Sequence, residues 1–297
     1  MHDSHIHMAL SPLLENYQGD IQEFTQENGK KILIQSTERG DFTDTIDIVE
    51  KINRIFPNTA DLALGIHPTI FGEAVQRTSL TGLDIFNYAK KQTSYFKDTL
   101  EKNIKEVKAI GETGLDYYDM NTYQQFSNQQ KEDLIEVQKL SFRLHCKLAK
   151  KYNLPLSIHS RDITGSSTCT KDVLEILAQE GKGLLTGCFH SYTGEIDMVE
   201  EILNMGFYIG FNAIITYPAG ENVREILKVT PVERILFETD GPFLPTQSVR
   251  KNKKELKRYG RPILIKEIIE YAAKIKEIPP KSLEDITDSN YITLFGN

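Results

Sequence analysis

The sequence predicts an α/β protein, a (β/α)₈ barrel of the TIM-barrel type forming a single domain over residues 1–297, and three observations predict it. Eight apolar runs of strand length alternate, for the most part, with helical stripes, and such alternation implies βαβ units and a parallel sheet. Eight repeats in 297 residues match the size of a closed barrel. A doubly wound open sheet would carry a G-x-G-x-x-G first turn. None is present, and no Pro/Gly/Ser linker, low-complexity segment or short repeat divides the chain.

Each element follows from its pattern. In the opening strand, Asp3-Ser4-His5-Ile6-His7, alternate side chains share a face, so His5 and His7 point together. Leu13 to Asn28 reads as a polar, partly amphipathic helix stopped by Gly29. Lys31 to Gln35 is a strand, and Ile46, Val49, Ile52 and Ile55 form a helical stripe within Phe42 to Phe56. Asp61 to His67 is the third strand, ended by Pro68. A longer connection leads to a helix from Thr81 to Asn103.

Glu106 to Thr113 is the fourth strand, followed by a helix from Thr122 to Tyr152. Strands then follow at Leu154 to Ser160, Leu184 to Ser191, Phe207 to Ile214 and Arg234 to Asp240. The intervening helices are Thr170 to Gln179, Glu195 to Met205, Glu221 to Val229 and Pro262 to Ile275. A last helical turn or two is expected between Ser282 and Leu294.

Composition narrows the function classes. Hydrophobic residues make up 39% and charged residues 26%, the balance of a soluble domain with a substantial core. No run approaches the ~18 apolar residues of a membrane helix. No basic segment leads an apolar one at the N-terminus, so neither membrane contact nor a secretion signal is expected. Cys146, Cys169 and Cys188 are odd in number and widely spaced, which points to a reducing cytoplasm rather than a disulfide framework. A net charge of −7 argues against a simple nucleic-acid-binding module. It leaves open an enzyme acting on phosphates, because bound cations supply positive charge the count omits. A basic run from Arg250 to Arg261, interrupted by the single acid Glu255, is expected on the rim after strand eight.

On this map His5 and His7 sit on strand one, while His67, Glu112, His159, His190 and Asp240 fall at later strand ends. Barrel enzymes assemble their sites at those C-terminal ends. Scattered core histidines would not respect them. Four imidazoles and two carboxylates form a borderline-hard set suited to Zn²⁺, Mn²⁺ or Fe²⁺, with Mg²⁺ less natural. Six ligands are too many for one catalytic ion that keeps open positions. Two divalent ions about 3.5–4 Å apart would use them and suit phosphoester hydrolysis. The expected division puts His5, His7 and Asp240 on one ion and His159 and His190 on the other, bridged by Glu112.

These stretches resemble the TatD-like metal-dependent deoxyribonucleases of the amidohydrolase superfamily. The likeness lies in Asp3-Ser4-His5-Ile6-His7, Gly65-Ile66-His67-Pro68, Ile110-Gly111-Glu112-Thr113-Gly114-Leu115-Asp116-Tyr117-Tyr118, Ile158-His159-Ser160-Arg161, Phe189-His190-Ser191-Tyr192-Thr193-Gly194 and Glu238-Thr239-Asp240-Gly241-Pro242-Phe243-Leu244. The resemblance runs in order along essentially the whole chain and ends on the Asn290 to Gly296 stretch. It implies His5, His7, Glu112, His159, His190 and Asp240 as metal ligands. It also implies hydrolysis of DNA phosphodiester bonds, often 3′-to-5′ on single strands. Tyr259-Gly260-Arg261-Pro262 lacks the asparagine that is common in the family before the last barrel helix.

Asp240 is expected to activate the nucleophilic water, as ligand and general base together. His67 either meets a phosphate or leaving-group oxygen or anchors its loop before Pro68. Arg161 either clamps a phosphate or makes a surface salt bridge. Tyr117 and Tyr118 either stack a nucleobase or pack under the rim. His145 is expected to be structural and His2 disordered. The substrate expected is single-stranded DNA, handled by a monomer. Competing readings are a barrel hydrolase acting on a small ester, lactone or amide, and a binding protein that kept the fold without activity.

Overall fold

In the computed structural model, which describes residues 1–38, 40–122 and 126–296, eight parallel strands follow one another around a barrel in the order of the chain. They are β1 (His2–Ile6), β2 (Lys31–Gln35), β3 (Ala60–Leu64), β4 (Val107–Asp116), β5 (Leu156–Arg161), β6 (Gly187–Phe189), β7 (Tyr208–Phe211) and β8 (Ile235–Phe237). Nearest-neighbour parallel pairing requires a crossover after every strand, and helices supply it. The expected barrel is therefore the observed one. Its seam closes where His5 O accepts from Asp240 N at 2.9 Å and Gly241 O accepts from His7 N at 2.8 Å. Asp3 reinforces the seam by accepting from the backbone of both His5 and Thr239.

The helices are α1 (Leu13–Gln26), α2 (Phe42–Ile55), α3 (Thr69–Thr78), α4 (Leu83–Lys102), α5 (Asp119–Thr122) and α6 (Asn128–Tyr152) in the first part of the chain. They continue with α7 (Thr168–Gly181), α8 (Val199–Asn204), α9 (Glu221–Val229), α10 (Gln247–Lys251), α11 (Ile265–Lys276) and α12 (Pro280–Phe295). The main crossover helices bury apolar stripes: Phe42, Ile48, Val49 and Ile52 do so in α2, and Val223, Ile226 and Leu227 in α9. α6 starts later than its expected Thr122, because Ser127 and Gln130 form a capping box that fixes its first turn. Residues 123–125 of that expectation lie outside the described residues.

Three expectations are corrected. The long connection after His67 contains α3, which buries Ile70, Phe71, Ala74 and Val75; the third strand ends at Leu64 rather than at His67, and Pro68 stands at this helix's N-cap. The expected last turn or two is the 16-residue α12. Its buried face includes Thr287, Asp288 and Asn290, so its period is invisible to an apolar count. Tyr291, Leu294 and Phe295 pack against Leu33, Ala63, Ala109, Cys188, Tyr208 and Leu236 from six strands, plugging the barrel's N-terminal end. His2 is ordered and buried, its Nδ1 2.7 Å from Asp288 Oδ1 and its ring stacked on Tyr291.

Candidate metal centre

Where the strands run out at the other end, their inward side chains change from apolar to imidazole and carboxylate. On β5 the interior sequence is Ser157 then His159; from β6 it is Cys188 then His190; from β8 it is Leu236, Glu238 and Asp240. Period two therefore carries the barrel's own packing rows up into the mouth. β4 is the longest strand and brings both Glu112 and Asp116 inward. Between them, Gly114 lies so close to β5 that any Cβ would overlap the His159 carbonyl, so no other residue fits there. Asp240 turns out of β8 with φ 53°, a left-handed conformation uncommon for aspartate and found disproportionately at working sites.

Glu112 stands at the centre, 2% exposed. Its Oε2 lies 3.2 Å from His5 Nε2 and 3.3 Å from His7 Nε2, and Asp240 Oδ1 is 3.6 Å from the same His7 nitrogen. Its Oε1 lies 2.7 Å from His190 Nε2, 2.9 Å from His159 Nδ1 and 3.2 Å from His67 Nε2. The two carboxylate oxygens thus each gather a different set of imidazoles. Groupings compact enough to hold an ion are His5, His7 and Glu112; His67, Glu112 and His159; and His5, His190 and Asp240. His190 lies between the sets, its ring stacked 3.7 Å from that of His5.

The donor set fits divalent cations. His5 Nε2 and His7 Nε2 are 3.2 Å apart, close to the roughly 3.3 Å separating two nitrogens on one tetrahedral zinc ion. His190 is buried with Nε2 2.7 Å from Glu112 Oε1 and Nδ1 3.4 Å from Glu238 Oε1, so both ring nitrogens face carboxylates, an arrangement a cation would complete. Charge agrees. Burial and the imidazoles of His67, His190 and His5 act oppositely on Glu112, and the imidazoles hold it well below the usual carboxylate range. Burial lowers His7 and His159, but neighbouring carboxylates carry them up to about 10 and about 9. Without an ion, imidazolium protons supply the positive charge these carboxylates require; metal binding displaces such protons.

Supporting residues set the tautomers. His159 Nε2 faces Asp116 Oδ2 at 2.8 Å, which holds one ring proton outward, so that Nδ1, 2.9 Å from Glu112 Oε1, would be the nitrogen freed for an ion once its proton is displaced. His190 Nδ1 is 3.4 Å from Glu238 Oε1 in the same manner. Thr69 N donates to His67 Nδ1 at 3.3 Å, so neutral His67 keeps its proton on Nε2, a donor aimed inward. Sequence reasoning gave no role to Asp116 and Glu238. Both stand at even spacing from a residue it did choose, Glu112 and Asp240, and that spacing was the available signal.

Around the centre opens a cleft of about 550 Å³ lined by Leu10, Glu38, Glu73, Arg161, Thr193, Ile214, Phe243 and Leu244 among others. Arg161 lines it with its guanidinium 4.0 Å over the Tyr118 ring and 3.6 Å from Asp119 Oδ1. Tyr117 is not available for stacking: it is 5% exposed, and its hydroxyl donates to Asp172 at 2.6 Å. The basic run is mostly committed as well. Lys257 pairs with buried Asp20 at 2.7 Å, Arg261 with Glu23 at 2.6 Å, and Arg258 donates to the Arg250 carbonyl. Lys253 and Lys254 are exposed. His145, as expected, is structural: its Nδ1 donates to Ser141 O and its Nε2 accepts from Ile66 N.

Comparison with known proteins adds four likenesses. The sequence model of the family described as TatD related DNase matches residues 2–296. YabD of Bacillus subtilis, an uncharacterized metal-dependent hydrolase, is 28% identical over 297 residues, covering 99% of this chain and 98% of its own. BU355 of Buchnera aphidicola, also an uncharacterized metal-dependent hydrolase, is 30% identical with the same coverage. Among solved structures, a TatD-family hydrolase from Entamoeba histolytica superposes with a TM-score of 0.78 at 23% identity, over 99% of this chain and 97% of that one.

Proposed function

This chain belongs to the TatD-related DNase family of metal-dependent hydrolases, and from that premise we propose that it hydrolyses DNA phosphodiester bonds, acting from the 3′ end of single strands with two divalent ions. The observation that carries the reading is the division of Glu112, whose Oε2 faces His5 and His7 while Oε1 faces His159, His190 and His67. A carboxylate with separate donor sets on its two oxygens is what a bridged pair of cations needs. His5, His7 and Asp240 would hold one ion and His159 and His190 the other, zinc or manganese suiting the donors better than magnesium. Bound there, the pair would lower the pKa of water and neutralise phosphate charge.

The chain's own groups do the rest. Asp240 takes the proton of the attacking water on its carboxylate, and Glu112 keeps both donor sets in place. His67 presents its Nε2 proton to a non-bridging or leaving oxygen. Arg161 leaves Tyr118 and Asp119, both surface contacts, to hold the next phosphate through two N–H groups. Cys146, Cys169 and Cys188 are buried thiols, which suits action in a reducing cytoplasm.

The test is an end-labelled single-stranded oligonucleotide incubated with the metal-free protein and with added zinc, manganese or magnesium. Metal-dependent shortening from the 3′ end is expected, lost with Glu112→Ala. Cleavage that survives a chelator, or that Glu112→Ala retains, overturns the metal mechanism. No cleavage of DNA beside turnover of small esters or lactones overturns the substrate.

A further inference from the structure

Resting on the reading of the mouth as a phosphodiester site, we propose that Phe243 is a stacking platform for the nucleobase of the nucleotide being released. The platform itself therefore selects for the presence of an unpaired base and not for its identity. Phe243 lies three residues past Asp240 and lines the same cleft. It is 53% exposed, unlike the fully buried phenylalanines of the core. An aromatic ring half in water beside a charged centre contributes little to folding. It meets the centre in a T-shaped contact, with ring centroids 6.0 Å from His7 at 70° between planes, and it remains exposed where it lines the cleft. That distance is within reach of a base attached to a phosphate held near Glu112 and Asp240.

Tyr117 and Tyr118 do not compete, because neither lines the cleft, and Tyr117 is buried with its hydroxyl on Asp172. Leu10, Ile214 and Leu244 line the cleft with Phe243. None of these side chains carries a donor or acceptor able to read a base edge. Every base has a π-face, so stacking on such a wall is sequence-tolerant. A base still paired in a duplex keeps its faces covered by neighbours and cannot use the wall.

The platform is pre-positioned. The two residues before it are tied down, Gly241 O to β1 by the His7 N–H at 2.8 Å and Pro242 O to the following loop by the Gly260 N–H at 2.9 Å. The ring therefore sits on the same backbone that orients His7 and Asp240.

The experiment compares two short single strands, one with a normal 3′-terminal nucleotide and one abasic there, in the zinc- or manganese-loaded protein. Wild type is expected to show a KM lower for the base-bearing strand by roughly 5- to 100-fold. In Phe243→Ala this ratio collapses toward one, and Phe243→Trp restores it. A residue that merely supports His7 would instead change kcat on both strands alike. That result, or an unchanged ratio in Phe243→Ala, overturns the proposal while the nuclease reading stands. Failure of the wild type to cut either strand overturns both.

Discussion

Glu112 is the residue on which the most geometry converges, and the residues behind it give the sharpest expectations. Asp116→Asn leaves the imidazole of His159 in place but removes the carboxylate that fixes its tautomer. Metal affinity should fall about 10- to 100-fold in a chelator competition, with little change in the folded far-UV spectrum. Asp240→Asn should keep most binding while lowering kcat roughly 10²- to 10⁴-fold, as loss of a positioned base does. His145 allows a test away from the centre. Burial lowers it from 6.5 to about 4, so the unfolded chain binds a proton there more readily than the folded one. Stability from this group is present above pH 6.5 and is lost as pH falls toward 4, by roughly 3 kcal/mol in all. His145→Gln should flatten the dependence of thermal midpoint on pH in that window. The ligand candidates were legible because strand ends are legible. Tyr117 was not, because adjacent residues leave a strand toward opposite faces, and nothing in Tyr117-Tyr118 says which one turns to the cleft.

Among the elements, the crossovers were readable wherever an apolar stripe was continuous, as in α2 and α9. α12 was not, because its inward face is held by polar side chains. Asp288 on that helix accepts from Lys30 at 2.8 Å and pairs with His2, and Tyr291 donates to Asp61 at 3.0 Å. Burial raises the Asp288 carboxyl, but His2 and Lys30 hold it below its ordinary range. A depressed carboxylate stabilises the fold above its unfolded pKa of roughly 4, and the contribution disappears as pH drops through the lower folded value. Asp288→Ala should therefore cost about 2 kcal/mol at neutral pH, discounted for the exposed Lys30. The deficit relative to wild type should shrink in denaturant titrations carried out below pH 4.

At the scale of the whole molecule, the barrel and its functional mouth followed from eight alternations and one set of strand-end residues. The distribution of charge did not follow, since Lys257 and Arg261 serve to tie the loop after β8 to α1. Lys253 and Lys254 remain exposed, and reversing both to glutamate should raise KM for DNA more at low salt than at high salt. Equal effects at both ionic strengths would remove steering from the account. Ions that bind only the folded chain also stabilise it. Stripping them with a chelator should lower the thermal midpoint by roughly 5 °C, reversed by adding zinc or manganese.

The seam between β1 and β8 has a consequence for biosynthesis. His5 and His7 leave the ribosome well before Asp240, which joins them only when β8 docks against β1, through the His5, Gly241 and Asp3 contacts. A nascent or truncated polypeptide therefore carries most of the imidazoles without the group that finishes the mouth. On the proposed reading, hydrolytic power would arrive only with a finished barrel.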